Sequence, residues 1–131
     1  MLRKRDWFAI GIGATRLASG VSFLVSPEAA NRMWGDDADN GPTASLLLRS
    51  MGYRDALIGG LLVASGLRGD GSSAGWFLAS AGADAADLLG GAANHRLMSP
   101  RQRALGLGGA AVGITVGVLG ALRARRSNAL A

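Results

Sequence analysis

Three carboxylates and three guanidiniums interrupt stretches of this chain that are otherwise apolar: Asp55, Asp84 and Asp87, with Arg16, Arg49 and Arg54. A carboxyl in a low-dielectric site tends to keep its proton unless a cation opposes it. Two carboxyls in different surroundings can therefore divide the roles of acid and base. On this chemistry Asp84 or Asp87 is expected to act as acid and Asp55 as base, with Arg16 or Arg54 as the tuning partner. Such a set can protonate an epoxide, alkene or carbonyl and deprotonate a water or a C–H. Cyclisation, isomerisation or epoxide opening of a lipophilic small molecule would fit. The expected substrate contacts are Arg16, Arg54, Arg49, Tyr53, Ser80 and Asn94. These reactions call for no metal and no cofactor. Consistent with that, the chain has no cysteine and one histidine, His95, which reads as a loop or headgroup residue.

Helical spacing gathers these residues onto faces. Ser80, Asp84, Asp87, Gly91 and Asn94 form one polar stripe, and Gly13, Arg16 and Gly20 share a face that a partner helix can approach. Gly52, Asp55, Gly59 and Gly66 lie together, and Arg54 projects about 100° from Asp55, so that these two are not expected simply to pair. Arg49 lies nearer a membrane boundary, where a long side chain snorkels outward. Three arginines against three aspartates would leave the group neutral.

The elements that must carry these faces are four apolar segments, 7–25, 44–67, 72–93 and 104–122. About 20 residues of helix cross the hydrocarbon core. The last segment has no charge and six glycines, among them Gly109, Gly113 and Gly117. Each mid-helix Gly costs roughly 1 kcal/mol relative to Ala in water. In lipid, small residues let helices approach closely. That face is expected to serve helix packing, or to dock a partner membrane protein or a second copy. The reading is therefore all-α: a single transmembrane domain over 1–131, an integral membrane four-helix bundle. Residues 27–34 are expected to add a short interfacial helix, and Trp7, Trp34 and Trp76 to anchor in the aromatic belt.

Composition agrees. Hydrophobic residues make up 49% and charged residues 18%, and mean hydropathy is only +0.24 because of 21 glycines and charged ends. The net charge is +5, but no basic stripe interleaves with aromatics, so nucleic acid is not an expected partner. With both termini cytoplasmic, the inner side carries seven basic residues (Arg3, Lys4, Arg5, Arg68, Arg123, Arg125, Arg126) and the outer side four (Arg32, Arg96, Arg101, Arg103). The acidic segment holding Asp36, Asp37 and Asp39 would face out.

Several motifs occur together: Arg16 with Gly20, Ser26-Pro27-Glu28 with Trp34-Gly35, the run Arg49-Ser-Met-Gly-Tyr-Arg54-Asp55 with Gly59, and Ala83-Asp84-Ala-Ala-Asp87. In these the chain resembles a family of small four-span membrane proteins of unknown function, DoxX-like in outline, over roughly Trp7 to Leu122. The resemblance implies a four-helix bundle and no established reaction. Of the 14 basic residues only Lys4 is a lysine, a usage similar to that of bacterial proteins from high-GC genomes and so to a bacterial cytoplasmic membrane.

Three other roles remain open for the charged group. It could bind a ligand in a non-catalytic or accessory subunit, with the arginines holding an anion. It could carry protons or ions along the polar stripe. Or it could be a set of structural salt bridges that fixes helix register.

Overall fold

A computed structural model describes residues 4–35 and 41–130. It contains five helices: α1 (Trp7–Val25), α2 (Pro27–Met33), α3 (Pro42–Arg68), α4 (Ser73–Ala93) and α5 (Pro100–Ala129). There is no strand among the described residues. The outward-facing acidic segment expected from Asp36, Asp37 and Asp39 lies outside them.

Local chemistry sets the helix ends. Asp6 caps α1, its Oδ1 accepting from the Ala9 amide at 3.1 Å. Pro27 and Pro42 open α2 and α3, where a missing N–H costs nothing. Gly69, at φ 59°, closes α3 in the left-handed region that glycine enters freely. Ser99 and Gln102 form a capping box at the start of α5. The last helix is therefore longer than the uncharged segment 104–122. It starts at Pro100, passes through a π-turn at Arg103–Leu107, and continues to Ala129.

The long helices associate as two antiparallel pairs, α1 with α3 and α4 with α5, and the pairs meet chiefly along α3 and α4. In the first pair the backbones touch. A Cβ added at Gly13 would fall 2.7 Å from the Gly59 carbonyl oxygen, and one at Gly20 would fall 2.5 Å from that of Gly52. Such contacts leave no room for a side chain on either helix. The buried core between the pairs is small, built on Leu62, Phe77, Ile58 and alanines, with Phe8 against Phe77 at 5.6 Å between ring centroids.

α1 and α5 are long and apolar enough to cross a membrane, and only 22% of each apolar window is buried within the chain. A core helix of a water-soluble protein would bury most of that surface. α3 and α4 fall short of the same criterion among the described residues, since they carry the ionised side chains.

Candidate functional site

The charged residues converge at mid-helix. Arg16, on α1, forks onto Asp84 of α4, with Nη1 donating to Oδ2 at 2.9 Å and Nη2 to Oδ1 at 3.1 Å. The same guanidinium donates to Ser80 Oγ at 2.8 Å and to Asp55 Oδ1 of α3 at 3.0 Å. Arg54 forks in turn onto both oxygens of Asp87, at 3.0 and 2.8 Å. Its Nε also donates to Asp55 Oδ1 at 3.1 Å. The result is one chain of alternating charge: Asp84, Arg16, Asp55, Arg54, Asp87. It stitches α1, α3 and α4 together. Charge-assisted, forked bonds of this kind are the strongest available to side chains.

Arg54 thus pairs with its sequence neighbour Asp55, contrary to the expectation from helical projection. The guanidinium sits at the end of a long flexible stem, which swings across the 100° separating the two Cβ directions. Arg49 is exposed and outside the network, because six residues of helix place it on a different side of α3 from Asp55. Removing it changes the balance: two guanidiniums now face three carboxylates, where the sequence suggested neutrality. Tyr53 points away and is 62% exposed. Asn94 closes α4, its Nδ2 donating to the Gly90 carbonyl at 2.8 Å, and does not join the network.

Burial is graded along the chain of charges. The side chains of Arg16, Asp84 and Asp55 are 13–14% exposed, and that of Asp87 is 39% exposed. Asp55 differs from the other two aspartates. Both oxygens of Asp84 and of Asp87 are engaged by a guanidinium, whereas Oδ2 of Asp55 accepts no hydrogen bond among the described residues. Among buried side-chain polar atoms described, Nε of Arg16 is alone without a partner.

A cavity of about 470 Å³ opens on the three carboxylates. Asp55, Asp84 and Asp87 form one wall, while Arg16, Arg54 and Ser80 stand behind them, off the cavity surface. The same cavity is also lined by Phe23, Trp34, Met51 and Met98. Sequence reasoning placed Trp34 in the membrane interface. Its ring, 43% exposed, also lies over α5, where a Cβ on Gly109 would come within 2.8 Å of it. The usable signal was the glycine row on α5, whose members accept side chains: Trp34 over Gly109, the Asp84 carboxylate against Gly113, Phe77 against Gly120. The Gly109/Gly113/Gly117 face is thereby covered from within the same chain.

The other end of the molecule, which holds Lys4 and Leu130, has the opposite sign. A cavity of about 1060 Å³ is lined there by Lys4, Arg5 and Arg123 together with Asp6 and Asp70. Arg123 donates to Asp6 Oδ1 at 2.8 Å and covers the Phe8 ring at 5.3 Å. Burial pushes the Asp6 carboxyl up, but the bonds from Arg123 and the Ala9 amide outweigh it and leave the group below its ordinary value. Hydrogen bonds from Ser72, and then from Arg68, hold exposed Asp70 well below the usual carboxylate range.

Residues 13–123 match a family described as a domain of unknown function, DUF4267, and the chain belongs to that family. No curated protein and no solved structure matches the chain. The matched region contains every member of the charged network and every residue named on the cavity wall.

Proposed function

We propose that this chain is an integral membrane protein in which α1, α3, α4 and α5 all cross the bilayer, and that its acidic cavity binds a lipophilic small molecule and moves a proton on it. The four-span reading is supported by the outer surfaces of all four helices. Leu46 and Leu47 on α3, Leu78 and Leu89 on α4, Val112 and Leu119 on α5, and Val21 and Val25 on α1 are all exposed. A water-soluble monomer rarely presents so much contiguous apolar surface, and a bilayer solvates it. Burying a charge in such a setting costs about 2.5–3.5 kcal/mol on insertion scales, so the paired network at mid-helix is a functional candidate by default. The basic terminal end suits a bacterial cytoplasmic membrane with both termini inside.

The observation that carries the chemical reading is the free Oδ2 of Asp55 beside a cavity whose wall holds one carboxylate more than the guanidiniums balance. Arg16 and Arg54 fix Oδ1 of Asp55 from two sides and so aim the other oxygen. Asp55 then serves as base: it takes a proton from a substrate C–H and returns it to a different carbon. The outcome is an isomerisation, in which every bond broken and made belongs to the substrate and the shuttled proton. Asp87, the most exposed of the three, is the group placed to relay a proton from water, as cyclisation or epoxide opening would require.

The test compares membranes of cells expressing wild type and Asp55→Asn, with helix content of both purified proteins checked by circular dichroism. Wild type should shift the ratio of a pair of lipid-soluble compounds of equal mass, read by liquid chromatography and mass spectrometry, and Asp55→Asn should not. An unchanged ratio with folded, inserted wild type would sink the isomerase reading. A non-catalytic binding role is the second reading, favoured by the guanidinium bonds that engage both oxygens of Asp84 and of Asp87, and it predicts ligand retention in Asp55→Asn.

A further inference from the structure

The charge of the cavity selects its ligand, and this deepening rests on the cavity being a ligand site as proposed above. Two guanidiniums lie among three carboxylates, and both are already forked onto aspartates behind the cavity surface. The remaining cations at that end do not restore the balance. Arg49 is exposed on another side of α3, Arg101 packs beside Gly35, and Arg103 donates its Nε to the His95 carbonyl at 2.7 Å; neither these three nor Arg32 and Arg96 line the cavity. An anionic ligand held by Arg16 and Arg54 would therefore meet carboxylates first and find the guanidiniums occupied.

The rest of the lining also suits a cation. Trp34 and Phe23 present aromatic rings, and Met51 and Met98 present thioethers. Tryptophan is the strongest aromatic partner for a cation, and a desolvated setting strengthens that attraction. Methionine adapts its shape around an apolar body. At about 470 Å³ the space lies within the usual range for small-molecule sites. We propose that the cavity takes a lipophilic cation, an ammonium or comparable onium group on an apolar body, with its charge between Trp34 and the Asp55/Asp87 wall and its tail along Phe23, Met51 and Met98.

Three probes that share one tail separate charge from hydrophobicity: decyltrimethylammonium, decanol and decanoate. Each is titrated into the full chain in phosphatidylcholine nanodiscs, with empty nanodiscs subtracted. Binding is followed by Trp34 fluorescence in a Trp7→Phe/Trp76→Phe background and by calorimetry on wild type and on both variants below. The cation should saturate the site about tenfold more tightly than decanol, with decanoate weakest. Asp87→Asn leaves two carboxylates against two guanidiniums and should erase the preference for the cation over decanol. Trp34→Leu, at a half-exposed position that makes no bond to the ion network, should weaken the cation more than the alcohol even if Asp87→Asn fails to fold. Equal or tighter binding of decanol overturns the charge inference and leaves the lipophilic site standing. Tightest binding of decanoate, or a preference unaffected by both substitutions, also overturns it. Saturable binding of none of the three overturns this inference and the proposed site together.

Discussion

The two helix pairs use most of their glycines differently. Between α1 and α3, Gly13, Gly20, Gly52 and Gly59 each meet the backbone of the other helix, and the pair closes with no space between. On α5, Gly117 also meets backbone, the Phe77 carbonyl of α4, but Gly113 and Gly120 meet the α4 side chains of Asp84 and Phe77, and Gly109 meets Trp34 from beyond α2. The first arrangement fixes two helices against each other, as small residues do where lipid supplies no hydrophobic drive for helices to associate. The second makes room. One helix lacks Cβ atoms so that a carboxylate and an indole can stand where they border a cavity. A row of glycines is therefore ambiguous until the opposite surface is known.

The comparison can be broken from either side. The largest loss should come from the ion network that joins the pairs. Asp84→Ala leaves Arg16 buried with one carboxylate fewer, and removing one partner of a buried pair costs about 3–5 kcal/mol. Thermal unfolding in detergent should show it, and a wild-type melting profile would mean that the network contributes little. Next is the tight pair. Gly59→Leu forces a side chain into the α1 backbone, where a Cβ alone would lie 2.6 Å from the Gly13 carbonyl oxygen. Overpacking costs about 1–3 kcal/mol and more where backbone must move, so loss of the folded species on size exclusion is expected.

Gly113→Ala sharpens the contrast. The three atoms nearest the new methyl all belong to the Asp84 carboxylate, so the helix pair should survive with stability lowered by about 1 kcal/mol. The fork from Arg16 should be displaced, and ligand binding should fall more than stability does. Equal losses in both would contradict the division of roles between the pairs. At the terminal end, Asp6→Ala removes an N-cap and should cost about 1 kcal/mol. The folded Asp6 carboxyl titrates below its ordinary value of 3.8, so its contribution is complete above that value and is lost as pH falls toward the folded one. The acid limb of a stability profile should accordingly be flatter in Asp6→Ala than in wild type. The smallest effect should belong to Arg49→Gln, within about 0.5 kcal/mol, since Arg49 lies exposed outside the network.

Much of the site was legible from spacing alone. Ser80, Asp84 and Asp87 on one helical stripe, the Gly13/Arg16/Gly20 face on α1, and the Asp55/Gly59 face on α3 follow from the 3.6-residue period. Their meeting at one depth followed from mid-helix positions. Side-chain reach did not follow, because periodicity gives the direction of a Cβ and not the position of a guanidinium several bonds away. That is why the bond between Arg54 and Asp55, and the exclusion of Arg49, Tyr53 and Asn94, were misjudged. Trp34 was missed for a related reason: it lies beyond α2, and no period connects it to α5.

By itself the sequence determined the all-α character, the first helix at 7–25, the short helix opening at Pro27, and the presence of opposite charges within apolar segments, but not the start of α5 at Pro100. These are local matters of hydrogen-bond capacity, backbone freedom and periodic hydropathy, and a single chain segment carries each of them. The tertiary structure alone decided which charges count. It left one arginine of three outside, held both remaining guanidiniums behind the cavity wall, and gave Asp55 a free oxygen. The sign of the site is a sum over side chains from α1, α3 and α4, and a sum of that kind exists only once packing has chosen its members.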